Sequence, residues 1–91
     1  ISTSLIRTPQ LQLLRLVLPP GHALPRHQVP GEATIHCLAG EAGIATRVAS
    51  LRLVAGSVVL VPAGEPHDVH ARGEQGCVLL VTVTMQPPPP E

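Results

Sequence analysis

The 91-residue chain has no phenylalanine, tyrosine or tryptophan, and its six cationic residues are all arginines. Without aromatic faces there is no platform on which nucleic-acid bases or sugars could stack. Six acidic residues balance the six arginines, leaving a formal charge of zero, so the positive surplus that draws a protein to a phosphate backbone is missing as well. No apolar run approaches the roughly 20 residues of a membrane span, and the opening Ile1-Ser-Thr-Ser lacks the charged-then-apolar layout of a secretory signal. These absences lead to the expectation of a cytoplasmic protein with neither nucleic acid nor membrane among its partners. Cysteine is also scarce. Cys37 and Cys77 sit inside apolar runs, as buried small hydrophobes in a reducing compartment would, rather than forming a disulfide scaffold.

A convincing 3.6-residue period is absent too, so little or no helix is expected. What is present is strand signal, broken every eight to twelve residues by turn residues, the pattern of an all-β sandwich or barrel. The strands are predicted near 4–6, 11–18, 22–29, 33–39, 41–47, 50–54, 57–61, 68–72 and 77–85. Residues 1–86 form one domain on this reading, and the proline-rich tail at 87–91 is extended or disordered because proline cannot donate a backbone hydrogen bond. Two strands, Leu11 to Leu18 and Cys77 to Met85, are apolar on both faces. A domain this small cannot cover both faces by itself, so a homodimer is expected.

The most specific stretch is Gly56-Ser-Val-Val-Leu-Val-Pro62-Ala-Gly64-Glu-Pro-His67. Its spacing resembles the second cupin motif, G-x5-P-x-G-x2-H-x3-N, with Ala71 in place of the asparagine. Gly21, His27 and Gly40 similarly fall on the first motif, G-x5-H-x-H-x3,4-E-x6-G, in which Val29 replaces the second histidine and Ala33 the glutamate, with Glu32 one residue early. The chain is thus similar to small single-domain cupins of the RmlC-like type over roughly residues 11 to 85. The resemblance implies a double-stranded β-helix, or jelly-roll barrel. It also implies a divalent transition metal (Fe, Mn, Ni, Zn or Cu) held in the barrel mouth, with His27 and His67 as the surviving ligands.

Further donors depend on how the chain turns after Val29. A two-residue turn at Pro30-Gly31 would put Glu32, Thr34 and His36 on the face that carries His27. A three-residue loop, which keeps the motif distance from His27 to Gly40, would instead turn Ala33, Ile35 and Cys37 inward. Glu32, His36 and Cys37 are therefore candidate additional ligands or pocket residues. Glu65 and Asp68 flank His67 and could orient it from behind. His70 falls on the opposite face by alternation, and His22 in an exposed turn.

Three functions fit this set: a metal-dependent enzyme with dioxygenase-like or isomerase-like chemistry, a metal-free module that binds or senses a small molecule, and a structural dimer with a vestigial pocket. The fold hosts all three kinds and cannot choose among them.

Overall fold

The computed structural model describes residues 2–85, so the proline-rich tail expected at 87–91 lies outside the described residues. Seven strands form: β1 (Ser2–Arg7), β2 (Leu11–Leu18), β3 (Ala23–His27), β4 (Ala33–Thr46), β5 (Ser50–Val54), β6 (Val58–Val61) and β7 (His67–Thr84). There is no helix among the described residues, as the missing 3.6-residue period implies.

All pairings are antiparallel, and β4 and β7 form the spine, side by side from Ala33 opposite Val83 to Thr46 opposite His67. Each takes part in two layers. The first half of β4 lies between β6 and the second half of β7, which in turn holds β2 and then β1. The second half of β4 lies between β5 and the first half of β7, whose far side carries β3. The sheet thus folds over on itself into a five-stranded and a four-stranded layer, the architecture of a jelly roll.

Glycine makes the fold-over possible. The β4–β7 register shifts between Cys37 and Ala39 and again between Gly40 and Glu41. Gly40 (φ 76°) and Gly76 (φ 71°) occupy the left-handed region there. A Cβ on Gly40 would strike the carbonyl of Gly76 and sit 2.9 Å from the Cys77 Cα, and one on Gly76 would meet the Leu18 carbonyl. Both positions need glycine for conformation and for space. Sequence reading treats these glycines as turns and predicts separate strands at 33–39, 41–47, 68–72 and 77–85. They instead bend continuous strands and pass them from one layer to the other.

The segment after Val29 also departs from expectation. β3 pairs with β7, and β4 with β5, β6 and β7, so residues 28–32 are a crossover between layers, and neither the two-residue nor the three-residue hairpin exists. The Val29 carbonyl accepts from the Gly64 amide at 2.8 Å, and the Glu32 carbonyl accepts from the Thr84 amide at 2.9 Å and from its hydroxyl at 2.8 Å. Gly31 passes so close to Thr84 that any side chain would strike it.

With no aromatic residues, the core is aliphatic. Ile44, Leu79, Val61, Val69 and Cys37 are its largest fully buried side chains, each apolar one contributing about 1.5–3 kcal/mol. Ala33, Ile35 and Cys37 alternate inward along β4 while Thr34 and His36 turn outward.

Candidate functional site

His27 ends β3 and His67 begins β7, and the two are directly paired across the strands. The turn that delivers His67 runs from Pro62 to Glu65, closed by the Glu65 amide donating to the Pro62 carbonyl at 3.1 Å. Gly64, at its third position, has φ 74°, as a type II turn demands. The two imidazoles lie with centroids 4.4 Å apart, inclined at 53°. His67 is buried at 3% exposure, whereas His27 is exposed at the rim above it.

Each ring is oriented by the same local device. The Nδ1 of His27 lies 3.0 Å from the Pro25 carbonyl, and the Nδ1 of His67 lies 3.0 Å from the Glu65 carbonyl. A carbonyl oxygen can only accept, so both Nδ1 atoms carry hydrogen. In the neutral rings both Nε2 atoms then keep a bare lone pair. Such a pair can accept hydrogen bonds from one ligand head, take up a proton as a general base, or donate to a metal ion.

Behind the pair, the acids flanking His67 are otherwise engaged. Glu65 orients His67 through its backbone carbonyl, while its carboxylate takes the Arg47 guanidinium at 3.0 Å and the Arg47 amide at 3.2 Å. The Arg47 side chain holds the Glu65 carboxyl below the usual carboxylate range and fastens the motif turn to the β4–β5 turn. Asp68 pairs with Arg26 at 3.1 Å on the opposite face.

The histidines open onto a cavity of about 630 Å³ between the layers, within the usual size range of small-molecule sites. Its wall is aliphatic, with Leu14, Leu24, Val69, Val81 and Val83 among the lining side chains, and Ser2, Gln12 and Thr84 adding neutral polar groups. Sequence reading missed Ser2, Gln12 and Thr84. Alternation along β2 carries a usable signal for Gln12, which shares a face with Leu14 and Leu16, but the approach of β1 and of the end of β7 to the histidines is tertiary.

The other candidate residues are elsewhere. Glu32 is exposed in the crossover, and His36 is half-buried on the outer face, opposite Leu80 and Val58. Cys37 is fully buried in the core. Its thiol lies 3.5 Å from the Ala39 carbonyl, and burial pushes its pKa up. None of the three lines the cavity. His70 faces away from it and lies against Gly43, and His22 is exposed. The cavity therefore offers two imidazole nitrogens. Among the described residues there is no group of three or more His, Cys, Asp or Glu able to hold a metal ion. Catalytic zinc sites ordinarily have three protein ligands, so two imidazoles are a smaller set than such a site uses.

Comparison with known proteins agrees with the barrel. No curated protein matches the chain. Among solved structures, a cupin superfamily protein from Desulfitobacterium hafniense DCB-2 superposes with a TM-score of 0.86 at 22% identity, over 94% of this chain and 77% of that one. A conserved protein of unknown function from Streptococcus pyogenes gives 0.84 at 26% identity, over 97% and 75%. The DMSP lyase DddQ from Ruegeria pomeroyi DSS-3 gives 0.83 at 27% identity, over 92% of this chain and 46% of that one. Neighbours this varied share a barrel rather than one activity. The cupin-domain family profile matches residues 14–83, spanning both motif segments that position His27 and His67, and the chain belongs to the cupin family.

Proposed function

We propose that the protein binds a small molecule in the barrel mouth, with His27 and His67 as its polar anchor. The observation that carries this reading is the pairing of a preformed aliphatic cavity with two imidazoles, each fixed by a backbone carbonyl so that Nε2 remains an acceptor. A buried histidine that served packing alone would not need its partner ring 4.4 Å away in the same tautomer. The test is ligand-observed NMR with a fragment library on the wild type, His27→Ala and His67→Ala. Binders that lose affinity at least tenfold in both variants support the reading. Equal binding in all three proteins refutes it.

A second reading has one observation in its favour. The shared Nδ1 capping is the arrangement that metal-bound histidines use, so His27 and His67 could hold a divalent transition metal whose remaining positions are filled by water and ligand. Elemental analysis of untagged protein, purified without chelator or nickel resin, separates the two. Near one equivalent of metal per chain supports this second reading, and metal-free protein that still binds fragments supports the first.

The proposal includes a homodimer. Its support is the outer face of the five-stranded layer, where Val58 and Leu60 are 63% and 56% exposed alongside the half-exposed Leu13, Val17 and Leu80. Size-exclusion chromatography with light scattering measures it, and the mass of a single chain at micromolar concentration rules it out.

A further inference from the structure

Among the described residues, the wall of the cavity carries no charged Arg, Asp or Glu side chain. Arg26 is paired with Asp68, Arg47 with Glu65, and Arg52 and Arg72 with Glu41. Of the neutral polar groups on the wall, Gln12 donates to Ser4 at 3.1 Å and the Thr84 hydroxyl donates to the Glu32 carbonyl. With the Ser2 hydroxyl and the two imidazoles, these are the polar side chains that the wall presents among the described residues.

We infer that the cavity is built for an uncharged amphiphile, an aliphatic body carrying a hydrogen-bond-donating head such as an alcohol or phenol, and that it rejects both carboxylates and amines of the same shape. The inference rests on the reading of this cavity as a ligand site. Its argument is one of complementarity. Against neutral imidazoles, whose Nε2 atoms accept, a hydroxyl head donates its one hydrogen to one Nε2 while water meets the other at the exposed rim, whereas a carboxylate sets its own lone pairs against theirs. A carboxylate would also leave water for an aliphatic wall with no cation to meet it. An ammonium head could donate to the imidazoles, but its charge would be buried without a counter-ion and without an aromatic face to stabilise it. The aliphatic wall meanwhile rewards each methylene of the body by about 0.8 kcal/mol.

The experiment compares three ligands with one tail and different heads: 1-octanol, octanoate and octylammonium. Each is titrated at neutral pH into the full untagged chain by isothermal titration calorimetry, with methyl chemical shifts of Val69, Val81 and Val83 recorded in parallel to locate the site. The expected result is saturable binding of 1-octanol that moves those methyls, at least tenfold tighter than either charged analogue. Octanoate or octylammonium binding as tightly as the alcohol, with the same methyls moving, overturns the inference and leaves the cavity standing as a ligand site. If none of the three moves the methyls, the inference and the ligand-site reading fall together. Because the comparison uses wild-type protein throughout, it does not depend on any variant folding.

Discussion

The two halves of the interior are built from the same residue types and finished differently. Beneath β5 and β6, Ile44, Leu53, Val61, Cys37 and Ala42 are all at 4% exposure or less. Between β2 and β3, Leu24, Val29, Val81 and Val83 are only partly buried and leave a cavity of about 630 Å³. Interiors are ordinarily close-packed, and each missing contact costs stability. The hollow half therefore gives up cohesion that the packed half retains, and the histidine pair sits where it was given up. The close-packed core lies under β5 and β6, and the proposed binding cavity between β2 and β3.

Substitution can break this division. The largest effect is expected for Ile44→Ala, which opens a void where nothing can collapse inward. It should cost about 2–5 kcal/mol, read as a lower urea midpoint with an unchanged slope. Gly31→Ala attacks the crossover at the edge of the hollow half, where the added methyl meets Thr84. Overpacking of this kind costs about 1–3 kcal/mol, and it should also displace ligand, because the crossover residues Val29 and Pro30 line the cavity. Val81→Ala removes methyls that already border open space, so a loss near or below about 1 kcal/mol is expected. A loss as large as that of Ile44→Ala would show that the cavity is not a void in solution.

The smallest effect concerns pH. Arg47 holds the folded-state pKa of Glu65 down, and hydrogen bonds first from Arg52 and then from Arg72 do the same for Glu41. A depressed folded pKa means stability that is present above the unfolded carboxyl value of about 4.3 and is lost as pH falls through the folded value. Melting temperature should be flat at neutral pH and decline on acidification below about pH 4. Glu65→Gln should flatten that decline slightly, since these pairs are solvent-screened.

How far these features can be read from sequence varies with their range. The spacing of Pro62, Gly64 and His67 depends on local turn chemistry, and the structure closes that turn as the residues imply. Inward alternation of Ala33, Ile35 and Cys37 is equally local, because side chains in a strand alternate wherever the strand lies. The pairing of that strand is not local. Val29 faces no hairpin partner, since the crossover is held by Gly64 and Thr84, neither of which its own neighbourhood announces. Gly40 and Gly76 read as turns because a glycine that bends a strand and one that reverses it carry the same local signal. The carbonyl caps on His27 and His67 come from residues two positions upstream, yet nothing in residue identity reveals which backbone oxygen will turn toward a ring.

The long strand β7 has a consequence for how the molecule comes into being. It is hydrogen-bonded to β2, β3 and β4, and its last turns of register set Thr84 opposite Leu11 and Val83 opposite Ala33. Neither layer holds all its central strands until β7 has followed the other six. Contacts of such wide sequence separation carry a loop-closure cost before they return any stability, which places folding in the millisecond-to-second range. During synthesis β2, with only β1 beside it, and β4, with only β5 and β6, must wait for β7 to emerge, and their open aliphatic edges make the chain aggregation-prone in that interval.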